Sequence, residues 1–284
     1  MTPNDVLAVV VSYNGGDTIA PTVSALRAQG LGVHVVDNGS DTPHRAVLDA
    51  LARDPGVTVE LLGQNRGVGY ALNRGVARAR GLGVTWLLTM DQDSIVDGDL
   101  LAAYARAVHR SPDAVCLAPT IAGSRHTDSD HDAAMAYAIT SGSIVRMSAF
   151  DDIGAYDEGL FIDCIDFDFS LRLRRRGYAI HRVHDARMRH HLGEAVSVPS
   201  FVRRVYALHS PARRYYMYRN YLYMMERYLL RFPKFIVKLG ALQLLLLPLI
   251  AFFDRSPAAS FRAIARGVAD YARRRQGPYP GTAR

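Results

Sequence analysis

Cysteine is nearly absent from this 284-residue chain: the two present, Cys116 and Cys164, lie far apart with no CxxC spacing. That excludes a disulfide framework and a zinc knuckle, and it suits a reducing cytoplasm. There is no Walker A sequence, and although Gly67 and Gly69 form GxG, position 72 is Leu, so the dinucleotide fingerprint GxGxxG fails. Dehydrogenase and P-loop ATPase readings lose their main support. The first apolar run, Val6 to Val11, is too short and, with Asp5 before it, wrongly flanked for a signal peptide, so the mature chain is expected to start at or near Met1. Acidic residues are in deficit, 27 against 34 Lys and Arg, which leaves a formal charge of +7 and favours an anionic partner such as nucleic acid, acidic lipid or a phosphorylated substrate. With 49% hydrophobic residues a sizeable core is available, and disorder is excluded.

Val6 to Val11 reads as a strand buried on both faces, as parallel sheets require. A loop from Ser12 to Asp17 follows, and then a helix over Thr18 to Gln29 with Ile19, Val23 and Leu26 at helical spacing and Gly30 as a stop. Val33 to Val36 repeats the strand and ends in the turn formers Asp37, Asn38, Gly39 and Ser40. A helix near Pro43 to Arg53, a strand at Val57 to Leu62, a helix opened by the Gly-rich stretch after Gly63, and a strand at Val84 to Met90 continue the alternation. This order predicts an α/β class with a doubly wound, mostly parallel sheet whose ligands sit beyond the carboxyl ends of the strands. The loops at Ser12, Asp37 and Asp91 then share one rim.

After Gly193 the chain changes character. RRYYMYRNYLYMMERYLLRF mixes Arg with Tyr and Met, and an apolar run from Phe235 to Phe253 contains an uncharged stretch, Leu239 to Phe253. Fifteen uncharged residues fall short of the roughly 20 that a span needs, so an interfacial or re-entrant helix competes with a transmembrane one, and a buried helix of a soluble domain is the plainer alternative. Arg227, Arg231 and Lys234 before the run, and Arg255, Arg262, Arg266 and Arg273 to Arg275 after it, favour contact with an anionic cytoplasmic leaflet. The tail RRRQGPYPGTAR reads as disordered.

Asp91 and Asp93 form a DxD at a strand end, a pair able to hold a hard divalent cation that grips a diphosphate, although a solvated acidic turn gives the same pattern. Asp37 occupies an equivalent rim position and suits a base or ribose, or else an Asx turn. Asp163, Asp166 and Asp168 compete as general base. Alternation of Ile165, Phe167, Phe169 and Leu171 argues for a strand, whereas Arg174 to Arg176 before Gly177 argue for a helix end.

AVVVSYNGG, VVDNGS, NRGVGYALNRG, LLTMDQDS, SGSIVRMSAFDDIGAYDEGLFIDCIDFDFSLRLRRRGY and RHHLGEA, in that order, resemble family 2 inverting glycosyltransferases of the GT-A fold over about Val6 to Gly193. GLFIDCIDFDFSLR is most similar to the rhamnosyltransferase branch. The resemblance implies a domain over residues 1 to 200, with residues 201 to 284 as a membrane-associating helical region. It assigns Ser12, Tyr13 and Asp37 to the base and ribose pocket, Asn65, Arg66 and Asn73 to the nucleotide-sugar loop, Asp91 to the ribose and metal, and Asp93 with His190 to Mg²⁺ or Mn²⁺, His191 being the runner-up. It starts a helix near Asp166, which makes Asp166 the base and leaves Asp163 to bind acceptor or donor hydroxyls. Ile165 departs from the acidic residue many relatives carry there. The implied reaction is transfer of L-rhamnose from dTDP-L-rhamnose to a lipid-linked or growing cell-surface polysaccharide on the inner face of the plasma membrane. Another nucleotide sugar as donor is an alternative. A nucleotidyltransferase would show a basic residue in the loop after the first strand, which SYNGGDT lacks. A non-catalytic basic scaffold or nucleic-acid binder would carry its basic residues on the α/β half, whereas here they gather around the apolar run.

Overall fold

A computed structural model describes residues 1–122, 131–190 and 209–281. The chain divides into two units, Met1–Asp157 with Asp166–His191, and Glu158–Ile165 with Leu192–Arg284.

The first unit alternates β1 (Val6–Ser12), α1 (Ile19–Arg27), β2 (Gly32–Asp37), α2 (Thr42–Leu51), β3 (Val57–Leu61), α3 (Val68–Leu82), β4 (Trp86–Asp91), β5 (Ser94–Asp97), α4 (Leu100–Arg110), β6 (Cys116–Ile121), β7 (Ala133–Met135), β8 (Ile144–Arg146), α5 (Met147–Ile153), α6 (Ile165–Arg175, which begins on the last residue of the other unit's segment) and β9 (Ile180–His190). One nine-stranded sheet runs β3-β2-β1-β4-β8-β6-β9-β5, with β7 on β9. β3, β2, β1 and β4 are all parallel. Beyond β4 the sheet is mixed: β8 is antiparallel to β4 and β6, β9 runs parallel to β6, and β5 returns antiparallel to β9.

The two-faced burial of β1 accounts for its unbroken Val-rich sequence. Val6, Ala8 and Val10 enter a core with Ile19, Val23 and Leu26 of α1. On the other face α3 lies so close to Val9 that a Cβ on Gly75 would come within 2.5 Å of it. Gly75 therefore sets how closely helix and sheet pack. Because the four parallel strands share one direction, all their carboxyl ends emerge on one edge, and the register places Asp37 opposite Ser12 and Asp91 opposite Val11.

The second unit contains α7 (Pro211–Tyr228), α8 (Pro233–Phe253) and α9 (Pro257–Ala272). Most Arg and Tyr side chains of α7 face inward: Arg214, Tyr215, Tyr216, Tyr218, Arg219 and Tyr223 are buried. The tail expected to be disordered is held in place as far as Tyr279, and its residues 282–284 lie outside the described residues. Gly277 N–H donates to the Gly159 carbonyl at 3.0 Å, Tyr279 N–H donates to the Tyr216 hydroxyl at 2.6 Å, and the Tyr279 ring lies 4.7 Å from that of Tyr215. A tail of Arg, Gly and Pro orders here because tyrosines supply stacking area and α7 supplies donors to its carbonyls.

Candidate active site

The rim loops are cross-linked by side-chain amides. Gln92, between the two DxD carboxylates, accepts from Tyr13 N–H at 2.8 Å and donates to the Tyr13 carbonyl at 3.1 Å, joining the loop after β1 to the turn after β4. Thr22 of α1 donates to the Gln92 carbonyl at 2.9 Å and holds the turn from below. The Tyr13 side chain itself stands out, 46% exposed. Asp91 N–H donates to the Ser141 hydroxyl at 3.1 Å, and Ser141 in turn donates to Ser94 at 2.7 Å. The DxD turn is thereby braced at both ends.

Asp37 is fully buried and accepts from Ser40, from its backbone N–H at 3.0 Å and from its hydroxyl. Its bonds run to Ser40, three residues on, so it closes the local turn as the plainer reading expected, although with a span one residue longer than an Asx turn. Gly39 inside that turn has φ of +87°, and a Cβ there would run into the backbone of Gln64 and Asn65. Asn38 carries the link onward, donating to Asn65 Oδ1 at 3.0 Å and accepting from Arg66 N–H at 2.8 Å, while Asn65 also caps Gly67 N–H at 3.0 Å. The Arg66 guanidinium lies 3.8 Å over the Tyr70 ring and bonds its hydroxyl. Asn73 makes a two-point pair with the Tyr156 backbone, 3.0 Å to the carbonyl and 2.9 Å from the N–H. Its carboxamide is thus engaged in holding the chain that leads toward residue 158.

Asp93 directly precedes β5, and the register of β5 against β9 sets His190 opposite Ser94, one residue from Asp93. Among the described residues no three His, Cys, Asp or Glu side chains gather into a metal-holding group. The carboxylates of Asp91 and Asp93 are nevertheless donors whose chemistry fits Mg²⁺ or Mn²⁺, and the backbone of His190 runs on the adjoining strand. His191 and Gly193 lie outside the described residues.

The helical alternative holds for the acidic trio: α6 begins at Ile165 and puts Asp166 and Asp168 in its first turn. Asp166 is half-buried and accepts from Phe167 N–H at 2.9 Å. Tyr137 neighbours it, and burial together with the Asp166 charge raises the phenol's pKa. Asp168 is buried against Arg172 Nε at 2.8 Å, and Arg172 Nη1 donates to the Ile153 carbonyl at 2.7 Å. Asp168 therefore anchors α6 to α5. The sequence alternation that imitated a strand is explained by Phe169, which stacks with Tyr156 at 4.5 Å, and by Leu171 and Leu173, both fully buried: this helix is covered on more than one side.

Within the second unit, the segment before α6 is strained and tightly held. Phe161, Asp163 and Cys164 all have φ between 63° and 66°. Asn220 Nδ2 lies 2.9 Å from the Leu160 carbonyl, 2.7 Å from that of Ile162 and 2.9 Å from that of Asp163. Arg219, fully buried, donates to the carbonyls of Gly159, Leu160 and Gly277. Arg213 Nη2 reaches Asp163 Oδ1 at 3.1 Å. Burial raises the Asp163 pKa, against the pull of Arg213 and Arg214. The sequence reading missed Gln92, Ser141, Asn38, Arg219 and Asn220. The signal available for the last two was an Arg-Asn pair amid tyrosines on a helix, where a buried charge must satisfy something.

Residues 7–176 match the family Glycosyl transferase family 2. The chain belongs to the family 2 glycosyltransferases. This glycosyltransferase is 27% identical over 243 residues to the dTDP-rhamnosyl transferase RfbF of Shigella flexneri, covering 76% of this chain and 78% of that one. It is 40% identical over 100 residues to the succinoglycan biosynthesis protein ExoO of Rhizobium meliloti (strain 1021), covering 34% of this chain and 28% of that protein. Among solved structures it resembles S. aureus TarS, with a TM-score of 0.56 at 15% identity over 96% of this chain and 49% of the other. It also resembles GalNAc-T7 solved with UDP, GalNAc and Mn²⁺, with a TM-score of 0.55 at 16% identity over 65% of this chain and 43% of that one. Those two solved chains are thus less than half spanned, and they establish the GT-A fold.

Proposed function

We propose that this glycosyltransferase moves L-rhamnose from dTDP-L-rhamnose to a hydroxyl of a lipid-linked or growing cell-surface polysaccharide at the cytoplasmic face of the plasma membrane. The donor assignment is supported by the similarity to the Shigella rhamnosyl transferase over most of both chains. The observation that carries the chemistry is the convergence of Ser12, Asp37 and Asp91 at the carboxyl ends of three adjacent parallel strands, with Asp93 beside the register position of His190. Tyr13 offers its exposed ring to the base, Ser12 and Asp37 shape the ribose pocket, and Asn65, Arg66 and Asn73 set the nucleotide-sugar loop. Asp91 faces the ribose, and Asp93 with His190 would hold Mg²⁺ or Mn²⁺. The ion, when bound, offsets the charge that builds on the diphosphate leaving group.

Asp166 takes the proton from the acceptor hydroxyl as its oxygen attacks the anomeric carbon and the bond to the diphosphate breaks on the opposite face, giving inversion. Its place in the first turn of α6 sets the carboxylate at the helix end where the dipole favours negative charge. Asp163 binds sugar hydroxyls. The C-terminal unit, residues 201 to 284 in the boundary drawn from sequence, attaches the enzyme to the membrane through α8, the one described helix long and apolar enough to cross a bilayer. Nucleotide release measured with purified enzyme across a panel of nucleotide sugars, with Mn²⁺ present, tests the reading. Turnover is expected with dTDP-L-rhamnose; preference for another nucleotide sugar would replace the donor while leaving the family standing.

A further inference from the structure

α8 is apolar nearly all round, yet only one stripe of it is covered. Ile236, Gly240, Gln243, Leu246 and Ile250 are buried, recurring at three- and four-residue steps along one face. That stripe is fixed to α7 and α9: Leu246 and Ile250 cluster with Tyr218 and Ile264, the Tyr218 hydroxyl donates to the Gln243 carbonyl at 2.6 Å, and a Cβ on Gly240 would collide with the Tyr221 hydroxyl. The remaining surface is open and greasy, with Leu244 68% and Phe252 81% exposed, and Leu230 fully exposed in the turn before the helix.

At 21 residues the helix is about 31 Å long, enough to cross a bilayer by length alone. Its packing forbids that. α9 exposes Arg262 and Arg266 within its length, so an α8 that crossed with α9 packed along it would carry these charges into hydrocarbon. At 100° per residue Lys234 and Lys238 point to the same side as Leu245 and Phe252, and all four are exposed. The outward face is therefore basic in its first turns and apolar in its later ones, with exposed Arg231 and Arg255 at its two ends.

We infer that α8 lies in the plane of an anionic membrane surface without crossing it, its Leu245 to Phe252 end sunk among the acyl chains and its lysines held at the phosphates. This rests on the membrane association proposed above and specifies its geometry and lipid.

The test uses the full chain added to preformed vesicles of phosphatidylcholine with or without phosphatidylglycerol. Flotation is expected only with phosphatidylglycerol present, and Leu245→Glu with Phe252→Glu, both at exposed positions, should lower the bound fraction about tenfold or more. Lys234→Cys and Arg255→Cys variants, bound to those vesicles, should both react with a membrane-impermeant maleimide at similar rates, since Cys116 and Cys164 are buried. If Arg255→Cys reacts only after detergent, the helix crosses and the in-plane inference is wrong while membrane association stands. Equal flotation on phosphatidylcholine alone removes the anionic requirement. A chain that dimerises in solution and floats with no vesicle overturns membrane association itself, because a second copy then covers the face.

Discussion

Asn220→Ala removes the amide that touches the Leu160, Ile162 and Asp163 carbonyls in the segment before α6. In its absence the Ile162 and Asp163 carbonyls lose the Nδ2 donor at 2.7 and 2.9 Å, while Leu160 keeps Arg219 Nη2 at 3.0 Å. A buried polar group left unmet costs about 1–3 kcal/mol, so two carbonyls set a loss of about 2–6 kcal/mol if no water enters. Against this stands the strain of three left-handed non-glycine residues, about 1–2 kcal/mol each. The two are of similar size, so the segment should relax out of its native bend instead of persisting unpaired. Hydrogen exchange should then rise in the peptide over residues 158–165, the melting temperature should fall, and turnover should drop with the displacement of Asp163. Asn220→Asp is the sharper variant: it keeps an oxygen for Arg219 Nε, which now bonds Asn220 Oδ1 at 3.0 Å, but turns a second oxygen toward the carbonyls. It should be worse than Ala on both readouts. If Asn220→Ala leaves exchange over 158–165 and turnover at wild-type levels, the clamp is not what holds the bend and the reasoning fails.

Asp166→Asn should lower turnover by roughly 10² to 10⁴ with donor binding nearly unchanged, whereas Asp168→Asn, which breaks the buried pair with Arg172, should appear mainly as a lower melting temperature. A dead Asp168→Asn beside an active Asp166→Asn would reverse the assignment of the base. Asp93→Ala should abolish both activity and the Mg²⁺ or Mn²⁺ requirement; full wild-type activity in excess EDTA would refute a metal at this position. Arg213→Met takes away a charge that opposes the raised Asp163 pKa, so the acid limb of the pH–activity profile should move to higher pH. Stability should respond with a matching sign: a carboxyl whose folded pKa is raised contributes fully below its unfolded value and loses that contribution as pH rises through the folded one. The variant should therefore lose more stability between acidic and neutral pH than the wild type does, as thermal melts across that range would show.

The strand and helix alternation of the first half was legible because each element has a local cause. Val-rich runs buried on both faces make parallel strands, Gly30 and the Asp37–Ser40 turn end elements by backbone chemistry, and the identity of the rim follows from strand direction alone. The sequence by itself therefore determined the α/β class, the shared edge of Ser12, Asp37 and Asp91, and through its motifs the family. It left Ile165 to Leu173 ambiguous, since a helix covered on several sides loses the one-sided pattern that marks it, and packing against Phe150 and Tyr156 decided the matter. It could not show that the Asp37 carboxylate is spent on Ser40, that Gln92 ties Tyr13 to the DxD turn, or that the Arg219 and Asn220 pair holds a bend some 60 residues earlier. Those bonds join residues remote in the chain, so no local spacing encodes them. The C-terminal arginines and tyrosines suggested a basic surface and a loose tail by composition. Only the tertiary structure turned Arg219 inward and packed Tyr279 on Tyr215, because a charge enters a small helical core where carbonyls from distant segments, here those of Gly159, Leu160 and Gly277, converge to meet it.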